Sequence, residues 1–241
     1  MGKVIMSGIA PKLEVPSGVM ASDLAVGSSV YLNENGSPVE YLVVNKGIPR
    51  GSSLYDSSCD GTWLLRKALY EKRAWDSSNN DYENSDIHAY LTSTFLSLFD
   101  SNIRSAIKQA KIPYQKGTGP SGSVAFGSNG LSTKVFLLSC CEVGGIIGVN
   151  SLKVPEDGAC LEYFNVTSGT DPKRIAYYDG TATDWWLRSP YTGAASYAGY
   201  SSTTGDCNTV YTTGSNGIRP ALILPNTAYF DEETLLFKGV A

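Results

Sequence analysis

The chain has 241 residues, 42% of them hydrophobic and only 17% charged, with a formal net charge of -4. That length suits one large domain, or one domain with an extension, and can bury a sizeable core. The acidic balance leaves no basic footprint and argues against nucleic acid as partner, and no stretch approaches the roughly 20 apolar residues of a transmembrane span, so no membrane insertion is expected.

Residues 1–22 read as an N-terminal arm, with Pro11 and Pro16 breaking any regular element. No continuous apolar run makes a secretory signal of it. A hairpin follows, in which Val30 and Leu32, then Tyr41 and Val43, flank the turn pair Asn35-Gly36. Thr62 to Tyr70 reads as a helix with Leu65 and Leu69 on one face. The strongest helical pattern begins at Asn84 or Ser85 and carries Ile87, Tyr90, Leu91, Phe95 and Leu98. Asp100 is placed to cap a second helix bearing Ile103 and Ile107. Residues 115–130 hold five glycines and read as a long exposed loop. Val135-Phe-Leu-Leu is a short apolar run, most simply a buried strand. Strands are then expected at Ile175 to Tyr178, Trp185 to Arg188, Thr209 to Thr212 and Ala221 to Leu224. Helices early and strands late point to an α+β fold.

The residues that could carry chemistry assemble poorly. His88, the single histidine, lies within the best helix, where a structural role is the simpler reading, and no G-x-S-x-G elbow accompanies it. Asp76, Asp81, Glu83 and Asp86 could offer oxygen ligands to Ca²⁺, but their spacing matches no calcium loop, and a solvated acidic turn is the simpler reading. Gly117-Thr-Gly-Pro-Ser-Gly lacks the Lys-Ser/Thr of a phosphate loop. The five cysteines, with Cys140 and Cys141 adjacent, fit neither a zinc site nor a disulfide framework, and read as reduced thiols of a protein made in the cytoplasm. No metal and no cofactor are expected.

The informative stretch is bracketed by Trp185-Trp-Leu-Arg-Ser-Pro and Gly217-Ile-Arg-Pro-Ala-Leu-Ile-Leu. Between Pro190 and Ile218 only Tyr, Thr, Gly, Ala, Ser, Asp, Cys, Asn and Val occur. Every one of these types has a codon reached from an Asn codon by changing adenines, which fits adenine-directed diversification; a Ser/Thr/Gly-rich loop of fixed sequence is the alternative. Trp185, Trp186, Arg188, Gly217 and Arg219 form the expected scaffold. Each arginine can hold backbone carbonyls or a carboxylate with its forked donors. The expected ligand-binding positions are Tyr191, Thr192, Ala195, Tyr197, Gly199, Tyr200, Ser202, Thr204, Asp206, Asn208, Tyr211 and Thr213. Tyrosine supplies contact area at low rotamer cost, and the small polar residues supply adjustable hydrogen bonds.

The bracketing motifs resemble the DUF6273 family. Asn84-Ser-Asp-Ile-His-Ala-Tyr-Leu-Thr and Val135-Phe-Leu-Leu-Ser-Cys-Cys-Glu-Val are similar to that family's helix and strand signatures, and the likeness spans roughly residues 24–225. The resemblance implies a C-type-lectin-like domain over 23–241, with a variable region at about 191–217. It also implies kinship with variable proteins of diversity-generating retroelements in phages and prophages.

The expectation is therefore a non-enzymatic receptor-binding protein of a virion, made in the host cytoplasm. Its ligand would be a bacterial surface protein or glycan, with a homo-oligomer or other virion proteins as further partners. Two rivals stand beside it: a virion decoration protein with a fixed loop, and a sulfatase-modifying-like enzyme using Cys140 or Cys141.

Overall fold

A computed structural model describes residues 18–148 and 152–241. Most of the expected arm lies outside the described residues; of its end, Val19–Met20 pairs antiparallel with Ala228–Phe230.

The Asn35-Gly36 pair does what its chemistry favours. Both residues take positive φ, +51° and +74°, the combination a two-residue turn needs to match strand twist. It joins Ser29–Glu34 to Ser37–Lys46. These strands form one flank of a five-stranded antiparallel sheet, continued by Thr62–Arg66, Ala221–Leu224 and Val135–Phe136.

Thr62 to Tyr70 is not a helix. Thr62–Arg66 is a strand in the middle of this sheet, and Thr62, Trp63, Leu64 and Leu65 are all buried. A strand covered on both faces loses its polar alternation, so its apolar run has no period to tell it from a helix. The run 115–130 is likewise corrected: Tyr114–Lys116 and Ser123–Ala125 form a short hairpin, closed where Gly117 adopts φ +83°.

The long helical pattern is realised in three pieces. An α-helix, Asp86–Tyr90, passes into a π-turn, Leu91–Phe95, and then a 3-10 turn, Leu96–Leu98. Ser85 Oγ accepts the His88 amide as N-cap, and Ile87, Leu91 and Phe95 are fully buried. Asp100 does precede the helix Ser101–Ala106, but its carboxylate accepts from Asn33 Nδ2 at 2.9 Å and caps no helix amide.

A second five-stranded sheet runs in the order Cys207–Tyr211, Tyr197–Ser201, Trp185–Pro190, Asn216–Gly217, Lys72–Arg73. Trp185 and Gly217 meet in parallel, and the other neighbours are antiparallel. The two large sheets share one core in which Trp63, Trp75, Trp185 and Trp186 are fully buried. With few short helices and mostly antiparallel sheets, the architecture is α+β in the broad sense. No helix among the described residues is long and apolar enough to cross a membrane.

Candidate functional site: a tyrosine-bearing hairpin on a buried polar frame

Trp185–Pro190 is buried at every residue; the Trp185 ring ties it to the segment before the sheet and the Trp186 ring ties it to the sheet's far strand, Lys72–Arg73. Trp185 Nε1 donates to Arg174 O at 2.7 Å, and Trp186 Nε1 donates to Arg73 O at 2.8 Å. Arg188 is fully buried and uses every donor. Nε reaches Pro113 O at 3.0 Å, Nη1 reaches Leu137 O at 3.0 Å and Glu142 Oε2 at 2.5 Å, and Nη2 reaches Glu142 Oε1 at 2.7 Å and Asp157 O at 2.8 Å. Burial works against the guanidinium charge, but the Glu142 carboxylate outweighs it and raises the Arg188 pKa. This is the forked anchoring expected of the residue.

Beside it, Ser189 Oγ lies 2.8 and 3.0 Å from the two Asp157 carboxylate oxygens and accepts from the Cys140 amide. Burial pushes the Asp157 carboxyl up to about 6, against the pull of Arg188 and the Ser189 hydrogen bond.

Arg219 behaves differently. It donates from Nε to Arg66 O at 3.0 Å and lies over the Trp185 ring at 5.1 Å, but Nη1 has no partner. Burial lowers its pKa to about 10. Gly217 fits because it has no side chain: a Cβ there would sit 2.3 Å from Leu69 Cδ1.

On this frame stands the hairpin Tyr197–Ser201 and Cys207–Tyr211, with Tyr197 opposite Tyr211 and Ser201 opposite Cys207. Its two ends, about 14 Å apart at strand rise, divide the expected ligand-binding residues. At one end Tyr191, Tyr197 and Tyr211 gather, ring centroids 5.9 Å apart for the first two and 4.2 Å for Tyr197 and Tyr211. Tyr211 is 56% exposed, and Thr192, Ala195 and Thr213 lie in the adjoining segments, half-buried or exposed. At the other end Ser202 Oγ accepts from the Thr204 and Asp206 amides, and Thr204 Oγ1 donates to Asp206 Oδ2. These polar groups are spent on their own turn.

Between the ends, Tyr200 is half-buried against the core and Asn208 is exposed. Gly199 is buried, and a Cβ there would lie 2.6 Å from Cys140 Sγ. Gly199 therefore belongs to the packed face.

Cys207–Tyr211 is the outer strand of its sheet. Ladder bonds such as Thr212 N to Ser196 O and Ser202 N to Asp206 O direct the amides and carbonyls of Cys207, Thr209 and Tyr211 outward. The Thr209 amide turns to Asn208 Oδ1 at 2.8 Å, and Tyr211 O accepts from Gly214 N at 2.9 Å.

Several framing residues carried no signal in sequence. Arg174 is fully buried and donates only to backbone carbonyls, those of Val143, Gly169, Gly205, Asn165 and Thr167. Glu142 and Asp157 complete the Arg188 site, and Asn80 is wholly buried. The segment around it is not simply a solvated acidic turn. Asp76 is 5% exposed, and its carboxylate accepts from the Ser78, Asn79 and Asp86 amides. Burial opposes its ionisation, but those amides prevail and lower its pKa.

His88 packs on the Tyr82 ring at 4.9 Å, and burial takes its pKa down to about 4. Cys140 is buried and Cys141 partly so, and burial raises both thiols. Among the described residues no group of three or more His, Cys, Asp or Glu could hold a metal ion.

No curated protein and no solved structure matches this chain. A family model described as a domain of unknown function, DUF6273, matches residues 60–226, which contain the Arg188 frame and the whole hairpin. With more than half of its length matched, the chain belongs to the DUF6273 family.

Proposed function

We propose that this chain is a non-enzymatic binding protein that recognises a bacterial surface molecule, a protein or glycan, through the tyrosine end of its hairpin. The observation that carries the reading is the gathering of Tyr191, Tyr197 and Tyr211 outside the hydrophobic core, beside the buried Arg188 frame. Aromatic anchors on a fixed base supply most of the energy of a recognition surface, and a preorganised base keeps the ordering cost low.

The proposal extends to a C-type-lectin-like fold and to a virion component whose residues 191–217 are diversified by a retroelement. The composition of that interval supports diversification, because every residue type in it is reachable from Asn codons by changing adenines. The enzyme rival is disfavoured on chemical grounds: a cysteine acts as its thiolate, and burial raises the pKa of both Cys140 and Cys141. The decoration-protein rival draws support from one feature, the self-satisfied turn at Ser202 to Asp206, which is what a fixed solvated loop would contain.

The test is binding of the fluorescently labelled protein to a panel of bacterial cells, with circular dichroism recorded alongside. Replacing Tyr191, Tyr197 and Tyr211 together with Ala abolishes binding on this reading and leaves the spectrum unchanged. Binding that survives the triple substitution places the face elsewhere. Loss of a turnover activity at Cys140 or Cys141 would favour the enzyme. Sequencing around the gene for a reverse transcriptase, and for a template copy differing at adenines, tests the diversification.

A further inference from the structure

We infer that Asn80, outside the variable interval, is the positioning residue that sets the backbone of the loop 191–197, so that this loop keeps its path whatever side chains it carries. The inference rests on the proposed recognition role only for its biological meaning. The geometry stands by itself.

Asn80 is fully buried. Its Nδ2 donates toward three main-chain carbonyls of one loop, Tyr191 O at 3.2 Å, Ala194 O at 3.0 Å and Tyr197 O at 2.7 Å. Its Oδ1 accepts from the Gly119 amide at 2.8 Å. One side-chain amide thus joins the segment after Asp76, the hairpin turn at Gly119 and the loop that bears two of the three tyrosines.

Gly119 provides a second, independent sign of the same contact. A Cβ on it would fall 1.8 Å from Tyr191 O, so the two backbones approach as closely as only glycine permits. The remaining loop bonds are also main-chain: Tyr191 N to Tyr197 O at 2.9 Å and Thr192 N to Lys153 O at 2.8 Å. The loop's own side chains add Thr192 Oγ1 to Lys153 O at 3.2 Å and a hydrogen bond between the Tyr197 and Tyr211 hydroxyls, neither of which reaches the Asn80 contact. Every residue except proline offers the same carbonyl and amide, so a clamp that grips only those groups is blind to the side chains. Asn80 is suited to this because its amide carries two donors and an acceptor on one rigid plane.

Hydrogen exchange of the full chain tests the inference without any ligand. In Asn80→Ala, the Tyr191, Thr192 and Gly119 amides exchange at least about tenfold faster, the expected consequence of losing more than one buried hydrogen bond. In Asn80→Asp, which keeps the acceptor, the Gly119 amide stays protected while Tyr191 and Thr192 accelerate. Gly119→Ala accelerates Tyr191 and Thr192 with Asn80 intact. A chain carrying Tyr191→Ser, Ala195→Thr, Ser196→Ala and Tyr197→Ser retains wild-type exchange at Thr192 and Gly119.

Acceleration of less than about threefold in Asn80→Ala overturns the inference. So does equal acceleration at Val43 and Leu64 in the first sheet, which would make Asn80 an ordinary stability residue. So does an effect of the four-site variant as large as that of Asn80→Ala. If the wild-type chain binds no cell while the exchange pattern holds, the recognition role fails and the clamp stands.

Discussion

Replacing Arg188 with Met removes five donors from a site that water does not reach. The Glu142 carboxylate would keep only Tyr55 Oη at 2.9 Å and the Ser139 amide at 3.0 Å, and the carbonyls of Pro113, Leu137 and Asp157 would lose their side-chain donor. Both partners of the ion pair are fully buried. Breaking such a pair from one side costs about 3–5 kcal/mol, because the remaining charge stays desolvated.

At about 2–4 °C per kcal/mol for a domain of this size, Arg188→Met lowers the melting temperature by about 6–20 °C. The four buried tryptophans make intrinsic fluorescence in urea a direct reporter. The second half of the experiment is the cycle with Glu142→Leu. If the cost is the stranded charge, the double variant is less destabilised than Arg188→Met alone. A loss below about 1 kcal/mol in Arg188→Met, or strict additivity of the two substitutions, would refute the assignment of Arg188 as the frame's anchor.

The pH dependence of stability contains two opposed contributions. His88 titrates near 4 folded against 6.5 unfolded, so it contributes stability that is lost as pH falls from about 6.5 to 4. Asp157 titrates near 6 folded against 3.8, so it contributes the reverse, stability gained as pH falls from about 6 to 4. Each is worth about 3 kcal/mol by linkage, and urea midpoints of wild type change little over that window on their account. Asp157→Asn uncovers the histidine and makes stability fall toward pH 4.5; no difference in slope from wild type would contradict the Asp157 assignment, and a stability that does not fall in Asp157→Asn would contradict that of His88. Trp186→Ala costs about 3–5 kcal/mol, and Gly217→Ala is also destabilising because its Cβ meets Leu69; thermal melts matching wild type would remove both from the frame.

What could be read in the sequence was local chemistry. The Asn35-Gly36 turn, the Ser85 cap and the strand Ala221–Leu224 follow from residue preferences that act over a few positions. The bracket around residues 191–217 was legible because Trp, Arg and Gly in a polar stretch need a packing or anchoring reason. The misreading of Thr62–Arg66 came from burial on both faces, which erases the period. Arg174, Asp157 and Asn80 were invisible for another reason: Arg174 and Asn80 act by donating to main-chain carbonyls, such as Asn80 to Tyr197 across 117 positions, and Asp157 meets the Ser189 hydroxyl across 32 positions. Main-chain acceptors leave no mark on residue identity. Even the expected ligand-binding positions needed the structure, since only tertiary packing shows that Gly199 lies against Cys140 while Tyr197 meets Tyr211.

If residues 191–217 are diversified as proposed, the outer strand Cys207–Tyr211 carries a hazard that a constant surface would not have. An unpaired edge is a template for strand addition, and an edge whose side chains changed at random would sometimes draw an aggregation-prone sequence. Here the Tyr211 carbonyl is occupied by a main-chain donor, Gly214 N, a protection that no change of side chain at 211 removes. The Thr209 amide depends instead on the Asn208 side chain. Position 208 would therefore govern colloidal behaviour whatever the chain binds: a copy carrying Val or Tyr there would bare one edge amide and expose the strand to self-association.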